Sequence, residues 1–387
     1  TPAKDNSSGA LFSVGVPLPQ GRFFALQQLQ CCREDGEKVS AAVVPKAFWP
    51  DNSLKWVQVH GETNCQGLDK TGFTVCEAPQ VTSHCKQQSP DITATQNKVE
   101  IHCADTNWLI DTDQLFSGTL TVAGTPYQFG VHTRFKAPYD ALQALLSDWH
   151  ITPAYNNKSC GEAAFIELTL HYQLISQSPV TLPLEFTVTL KYFTHFGYCE
   201  LHSTLRNPNP AEHASGTWDL GEQKSLLIEE FAWFIKAESG TSHLSEDSVS
   251  LASKAPINTQ SILWQRSSNG KHWNSPVHVN HERKLSISNP LSVIDVNGDK
   301  SEQPVRLAPT GSLIQDGTCL RIAPQKFWQN FPTAFSANSG QLCWHLFKAE
   351  VNHPVELQPG EQKSHCCELA LSAKSDSYVK AHARLNP

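Results

Sequence analysis

Residues 12–62, FSVGVPLPQGRFFALQQLQCCREDGEKVSAAVVPKAFWPDNSLKWVQVHGE, carry the clearest structural signal in the chain. Short strand-like runs alternate with turn residues at 17–21, 35–36 and 50–52, where Pro, Gly, Asp and Asn concentrate. Apolar side chains recur near every second position, as at Val14 and Val16, and again from Leu54 to Val59 with one slip. A period of two between turn residues is typical of β-strands, so the segment predicts a small barrel or sandwich.

The rest of the chain has the same character. Two long runs, 166–174 and 184–192, alternate apolar and polar residues without interruption. Adjacent strands that each have one apolar face predict a large antiparallel sandwich. The Ser- and Gln-rich stretch 79–97 has few apolar residues and is the best domain boundary. The predicted fold is therefore all-β, with a small N-terminal barrel at 1–85, a sandwich at 86–375 and a tail at 376–387.

Only two segments have helical spacing. In 139–149, the apolar residues Leu142, Leu145, Leu146 and Trp149 would form one stripe of a helix. The second predicted helix is the short segment 325–330.

The order of three motifs in the first 57 residues resembles a known family. GVPLPQG at 15–21, then Asp35-Gly36, then FWPDNSLKWV at 48–57 resemble the N-terminal barrel of the exo-rhamnogalacturonan lyases and the YetA-like proteins. HSTLRNPNPAEHASGTWDLGEQKSL at 202–226, APQKFWQNFPTAF at 323–335 and LQPGEQKSH at 357–365 resemble segments of the same family's central β-sandwich, in the same order. The sequence departs from the family at Glu222, where an Asp is usual, and at Ser215-Gly216, where the family has a Gly pair. Family members continue into a helical toroid, so the resemblance implies a fragment or a short form without that domain.

Composition excludes several classes of protein. The formal charge is −7 and the pI is about 6.2, and no basic stripe interleaved with aromatic residues is visible, so we expect no nucleic acid partner. The sequence contains no run of about 18 apolar residues, which a membrane-spanning helix would need. The N-terminus lacks the layout of a signal peptide, so a secreted or periplasmic protein would already have lost it. The chain has 12 Cys and no CxxC motif, which argues against a zinc site and leaves disulfides to a minority of the cysteines.

The resemblance implies β-elimination on the glycoside of a uronic acid, with an acidic polysaccharide as partner. This reaction needs a cation against the uronate carboxylate, a base for the C5 proton and a proton for the leaving oxygen. The segment 198–224 contains these residue types close together, around the rigid turn Asn207-Pro208-Asn209-Pro210. The predicted catalytic residues are His213 as the first choice of base, Lys224 as the second, Arg206 as the carboxylate neutraliser, and Tyr198.

Four further residues are predicted to bind the sugar. Trp218 and Trp273 lie in polar loops, where an indole can stack on a pyranose, and Asp219 and Asn207 supply polar contacts. A structural reading of the same turn is that Arg206 and Asp219 pair with each other and that Trp218 belongs to the core.

Three other sites are less favoured by the sequence. The segment 295–299 mimics the start of a calcium loop, but Gly298 is at the wrong position for one. An Asn-Gly hairpin explains the segment better. Calcium therefore stays a possibility that the sequence does not support, and no cofactor is predicted. His278 and His281 would diverge on a strand. The pair Glu229-Glu230 would point to opposite faces of a strand and could not flank one bond. A non-catalytic carbohydrate-binding module and a glycoside hydrolase remain as alternatives to the lyase.

Overall fold

The computed structural model of this chain describes residues 10–34, 36, 41–63, 72–77, 91–95, 97–103, 105–136, 139, 142–153, 165–176, 181–193, 197–212, 222, 224–245, 260–267, 292–349 and 353–371. Within these ranges the regular structure is almost entirely β, with two single-turn 3₁₀ helices at Leu26–Gln28 and Trp328–Asn330. No helix in the described ranges has the length and apolarity to cross a membrane. The all-β fold predicted from the sequence is confirmed.

The strands, in chain order, are β1 Ala10–Pro17, β2 Leu29–Arg33, β3 Ala41–Phe48, β4 Leu54–Thr63, β5 Phe73–Glu77, β6 Asp91–Ala94, β7 Lys98–Cys103, β8 Thr106–Asp111, β9 Ser117–Val122, β10 Thr125–Phe135, β11 Gln143–Pro153, β12 Phe165–Ile175, β13 Leu184–Phe193, β14 Tyr198–Arg206, β15 Leu226–Ala237, β16 Thr241–Ser245, β17 Ser261–Gln265, β18 Ser292–Val296, β19 Asp299–Gln303, β20 Thr310–Gln315, β21 Thr318–Pro324, β22 Thr333–Asn338, β23 Gln341–Lys348, β24 Val355–Leu357 and β25 Gln362–Ala370.

The N-terminal unit consists of two small antiparallel sheets, β1-β4-β3 and β2-β5. Alternate side chains of its strands meet in a separate apolar cluster that includes Leu29, Val43, Val57 and Val59. The turn before β4 closes on itself, since the backbone N–H of Trp49 donates to the carbonyl of Ser53 at 2.8 Å. The period of two and the turn residues of 12–62 therefore predict this unit correctly.

Two large antiparallel sheets follow. The described strands form a twelve-stranded sheet in the order β19-β18-β17-β22-β23-β15-β10-β9-β8-β7-β6, with β24 beside β15. They also form an eight-stranded sheet in the order β11-β12-β13-β14-β25-β21-β20-β16. The rings of Phe186 on β13 and Phe231 on β15 lie 4.9 Å apart, so the two sheets pack face to face. Together they are the predicted sandwich.

The N-terminal unit contacts the outer face of the eight-stranded sheet. The ring of His60 lies 5.3 Å from that of Phe193, and Lys46 Nζ lies 3.8 Å from Glu167 Oε2. Residues 78–90, where the domain boundary is predicted, are outside the described ranges, and the boundary at 85 stays a prediction.

The predicted helix at 139–149 is wrong, because residues 143–153 form the edge strand β11. The register against β12 shifts between Leu146 and Asp148, so Ser147 is an extra residue in a β-bulge. On either side of the bulge, every second residue faces inward. Across the bulge, from Leu146 to Trp149, the next inward-facing residue is three positions away, which is the spacing expected on one face of a helix. Leu145, placed on the helical stripe, is 50 % exposed. The second predicted helix, 325–330, is reduced to the 3₁₀ turn at Trp328–Asn330.

A second bulge corrects the prediction that Glu229 and Glu230 face opposite ways. In the pairing of β10 with β15, Arg134 opposes Glu230 while Phe135 opposes Ile228, which leaves Glu229 as the extra residue. Arg134 Nε lies 2.8 Å from Glu229 Oε2, and its Nη2 lies 3.8 Å from Glu230 Oε2. Both carboxylates therefore reach the same cation on the outer face of the sheet.

The Asn-Gly hairpin is confirmed. Asn297 and Gly298 join β18 to β19 with φ angles of 62° and 87°, as a two-residue hairpin turn requires. Asp295 Oδ1 accepts a hydrogen bond from the N–H of Gly298 at 2.8 Å, so the carboxylate stabilises the turn. In the part of the chain that the structure describes, no group of three His, Cys, Asp or Glu residues is placed to hold a metal ion.

Candidate functional site

The predicted site surrounds the turn that follows β14, and we call residues 206–212 with Lys224 the Asn207 turn. Pro208 and Pro210 have no N–H to donate and fix their own φ angles, so the polar needs of this turn fall to its two asparagines. The Asn207 amide nitrogen donates to the carbonyls of Lys224 and Leu357, at 2.8 and 3.1 Å. Its backbone N–H donates to the carbonyl of Glu361 at 2.9 Å.

Asn209 continues this network. Its amide nitrogen donates to Asn207 Oδ1 at 2.8 Å and to Tyr139 Oη at 3.2 Å, and its own Oδ1 accepts from the N–H of Leu182 at 2.7 Å. Both asparagine side chains are fully enclosed. The structure gives the Asn207 amide a structural role, because all of its contacts hold the turn against the start of β15, and substrate binding by Asn207 stays a prediction.

The two cations of the turn keep partly exposed carboxylate partners. Arg206 Nη1 lies 2.8 Å from Glu185 Oε2, and these side chains are 47 % and 44 % exposed. Lys224 Nζ pairs with Glu212, whose side chain is 69 % exposed. Exposed ion pairs contribute only about 0–1 kcal/mol, so an incoming carboxylate can exchange with either glutamate.

The ends of the segment between these residues lie together. The backbone N–H of Glu212 donates to Glu222 Oε2 at 2.9 Å, so the chain leaves and re-enters the turn at one place. Glu222 is one of the two places at which the sequence departs from the family that it resembles. His213, Trp218 and Asp219 lie between these two glutamates and are outside the described residues, as is Trp273.

Tyr198 does not belong to this site. It begins β14 and Arg206 ends the strand, so about 26 Å separates them at the usual rise of a strand. Its ring packs 5.5 Å from that of Phe193, beneath the contact with the N-terminal unit, and is enclosed. Burial raises the pKa of Tyr198 well above its usual value. The structure therefore places Tyr198 in packed protein, apart from the Asn207 turn, and a catalytic role for it stays a prediction.

Sequence reasoning missed two polar residues near the turn. Tyr139 lies within the segment mistaken for a helix, and burial raises the pKa of its phenol. Lys363 is half-buried beside the ring of Phe347, and its Nζ donates to the carbonyls of Asn330 and Phe331 at 3.1 and 3.0 Å. Burial lowers the pKa of Lys363 to about 8.

Lys363 could have been found from the sequence. It shares the alternating inward positions of β25 with His365 and Cys367, and a lysine in such a register is unusual. It pairs with Leu205, while Arg206 pairs with Gln362, so the Arg206 and Lys363 side chains point to opposite faces of the sheet. The structure therefore does not bring these two cations together.

Comparison with known proteins supports the family resemblance. Residues 2–70 match the family described as the PcRGLX-like N-terminal RIFT barrel domain. The match to this rhamnogalacturonan lyase-like domain supports the conclusion that the protein is carbohydrate-active. No curated protein matches the chain.

Among solved structures, the chain has weak likenesses at low identity. An α-mannosidase from Enterococcus faecalis has a TM-score of 0.42 and 11 % identity, covering 98 % of this chain and 44 % of its own. A galactose mutarotase-like protein from Clostridium acetobutylicum has a TM-score of 0.33 and 9 % identity, covering 73 % of this chain and 97 % of its own. The chain spans less than half of the length of the α-mannosidase. Likenesses of this size say nothing about activity.

Proposed function

We propose that this chain is the barrel-and-sandwich part of a polysaccharide lyase that cleaves uronic-acid-containing glycans by β-elimination. The observation that carries the proposal is the match of residues 2–70 to the rhamnogalacturonan lyase-like barrel. The resemblance of 202–226, 323–335 and 357–365 to the same family supports it. In that family the cleft lies against a helical domain, so this chain would supply the wall of the cleft that carries the proposed catalytic residues, and we expect it to act on the glycan by itself.

The Asn207 turn is the proposed place of the reaction. The C5 proton of a uronate becomes acidic when a cation neutralises the adjacent carboxylate, because negative charge then develops next to a fixed positive one. Arg206 is proposed for this role. A guanidinium can bind a carboxylate through two parallel hydrogen bonds. The uronate would replace Glu185, to which Arg206 donates through Nη1.

The base that takes the proton is proposed to be His213, which directly follows Glu212 in the chain, with Lys224 as the second candidate. An imidazole has an unperturbed pKa near 6.5 and can take a proton at neutral pH. Lys224 must first separate from Glu212, and the exposure of that glutamate makes the separation inexpensive in free energy. The proposed partner is an acidic polysaccharide or oligosaccharide, met outside the cell or in the periplasm.

Product analysis tests this proposal. The chain is incubated with pectic rhamnogalacturonan and with alginate, and the products are followed by ultraviolet absorbance and by reducing-end assay. We expect an unsaturated, ultraviolet-absorbing end on one of these substrates, with a loss of about 100-fold or more in Arg206→Ala. New reducing ends without absorbance would indicate a glycoside hydrolase. Retention of the glycan without products would indicate a binding module. Either result would overturn the lyase.

A further inference from the structure

Three neighbouring strands of the twelve-stranded sheet bring a hydroxyl, an imidazole and a carboxylate together. Ser336 lies on β22, His345 on β23 and Glu230 on β15, which are adjacent in the sheet. Their strand neighbours Phe335 and Trp344 belong to the core, so the three polar side chains lie on the outer face. We call Ser336, His345 and Glu230 the outer-face cluster.

The three side chains form a chain of hydrogen bonds through opposite ring nitrogens. Ser336 Oγ lies 2.9 Å from His345 Nε2, and His345 Nδ1 lies 2.8 Å from Glu230 Oε1. Ser336 is partly exposed, whereas His345 is 7 % exposed. A substrate can therefore approach the hydroxyl while the imidazole behind it stays shielded from water.

The protonation states of this chain follow from its contacts. The hydrogen bond from His345 lowers the pKa of Glu230 to about 2, so the carboxylate is ionised and can only accept. The His345 Nδ1 must then carry the proton. Burial lowers the pKa of His345, so the ring is neutral near pH 7 and its Nε2 lone pair accepts from the Ser336 hydroxyl.

The surrounding residues leave Ser336 as the nucleophile. Cys343 pairs with Ser336 across β22 and β23, but burial raises the pKa of Cys343 to about 12 and keeps its thiol protonated.

Lys348 Nζ, from β23, lies 3.1 Å from Glu230 Oε1. Among the residues that the structure describes, the other charged and titratable groups facing the cluster are Arg134 and His132 on β10 and Glu229 on β15. Within this described set the two cations, Lys348 and Arg134, balance the two glutamates.

We propose that Ser336, His345 and Glu230 are a nucleophilic triad that hydrolyses carboxylic esters, specifically acyl esters on the hydroxyl groups of a glycan. In this geometry the nucleophile Ser336 is hydrogen-bonded to the base His345, and the other ring nitrogen of His345 is hydrogen-bonded to the Glu230 carboxylate. The glycan as ester carrier rests on the carbohydrate-active assignment, whereas the acyl chemistry rests only on the three residues.

The reaction needs water as its one co-reactant. Ser336 Oγ bonds to the carbonyl carbon while its proton passes to His345 Nε2. The bond from that carbon to the sugar oxygen then breaks, and the sugar oxygen takes the proton from His345. Water, deprotonated by His345, attacks the acyl-serine, and the acid is released as the proton returns to Ser336. Glu230 stays ionised throughout and stabilises the imidazolium.

Covalent labelling tests the nucleophile directly. The folded chain is treated with a fluorophosphonate probe and the modified peptide is identified by mass spectrometry. We expect one label, on Ser336, that is lost in His345→Gln and in urea-unfolded protein. Ser364→Ala is the matched control, because Ser364 is also a strand serine but bonds to Thr204 at 2.8 Å instead of to a histidine. An unlabelled Ser336 in the folded protein would overturn the proposal.

Turnover of p-nitrophenyl acetate provides the second test. We expect Ser336→Ala to lower the rate about 100-fold or more, and His202→Gln to leave it unchanged. His202 is the matched control, since its Nε2 lies 3.0 Å from Glu200 Oε2 without a serine. Near-ultraviolet circular dichroism of Ser336→Ala establishes that the fold is retained. Equal rates in Ser336→Ala and wild type would contradict the triad, whatever the outcome of the polyuronate assay.

Discussion

The Asn207 turn and the outer-face cluster use similar side chains in opposite ways. At the turn, the buried groups are neutral amides, and the carboxylates that pair with Arg206 and with the half-buried Lys224 are the exposed Glu185 and Glu212. In the outer-face cluster the charges themselves are half-buried, and hydrogen bonding and burial shift the pKa values of Glu230 and His345. A charge in water can exchange partners at little cost, whereas a shielded one is fixed in a single arrangement.

This difference predicts where substitutions affect stability. Buried groups that lose their partners leave an unsatisfied donor or acceptor, which costs more than the lost hydrogen bond itself. Exposed groups are solvated by water instead. The following changes are ordered from the largest expected effect on the free energy of unfolding to the smallest.

Asn207→Ala should be the most destabilising, by about 2–4 kcal/mol, because it removes the donors to Lys224 and Leu357 and the acceptor for Asn209. Urea unfolding followed by tryptophan fluorescence measures the change. Asn338→Ala, an exposed asparagine at the end of β22, is the control and should change the value by less than about 0.5 kcal/mol. Equal effects of the two variants would show that the buried amides do not hold the turn.

Glu230→Gln should cost about 1–3 kcal/mol, because Lys348 loses the anion it pairs with and His345 donates to a neutral amide oxygen instead of a carboxylate. The matched change at the turn is Glu185→Gln, which breaks an exposed pair with Arg206 and should cost less than about 1 kcal/mol. Chemical denaturation of both variants under one buffer gives the comparison. If Glu185→Gln lowered the free energy of unfolding more than Glu230→Gln does, the claim that the shielded charge contributes more to stability than the exposed one would be wrong.

Acidification should weaken the outer-face cluster. The pKa of His345 is lower in the folded chain than the 6.5 of an unfolded one, so stability is full above pH 6.5 and declines below it. The pKa of Glu230 is about 2 against 4.5 when unfolded, which adds a second decline between those values, in the same direction. After allowance for solvent screening, the Glu230 contribution is on the order of 1–2 kcal/mol.

Unfolding free energies at pH 7, 5 and 4 for wild type and Glu230→Gln check this dependence. Buried His60 and His365 also have lowered pKa values and act with the same sign, so the quantity of interest is the difference between the two proteins. That difference should shrink between pH 5 and pH 4. A difference that grows on acidification would contradict the assigned direction of the Glu230 shift.

Arg206→Ala should have the smallest effect on stability, below about 1 kcal/mol, since it removes one exposed ion pair. Differential scanning calorimetry measures this effect. Arg134→Ala is the control variant, because Arg134 is also an exposed arginine in an ion pair. A loss above about 2 kcal/mol in Arg206→Ala would identify Arg206 as a structural residue and remove it from the proposed cleavage site.

The sequence predicts the features that depend on local pattern. Alternation identifies β12 and β13, and the Asn297-Gly298 pair identifies its hairpin. Both large errors came from bulges: one extra residue, Ser147, made a strand resemble a helix, and another, Glu229, placed two adjacent carboxylates on one face. A bulge depends on the partner strand, so the pattern of a single strand does not reveal it.

The outer-face cluster was beyond sequence reasoning for the same reason. Glu230 and His345 are 115 residues apart and meet only because β15 and β23 are neighbours in the sheet. The burial of Asn207 and Tyr198 likewise depends on what packs over them. The turn at 207–210 itself could be identified from the sequence, because proline restricts the backbone locally.

The most direct test of two separate sites is a pair of assays on a pair of variants. Elimination from polyuronate and hydrolysis of p-nitrophenyl acetate are measured for Arg206→Ala and Ser336→Ala. We expect Arg206→Ala to lose elimination and keep ester hydrolysis, and Ser336→Ala to do the reverse. Loss of both activities in either variant, at an unchanged melting temperature, would contradict the separation of the Asn207 turn from the outer-face cluster.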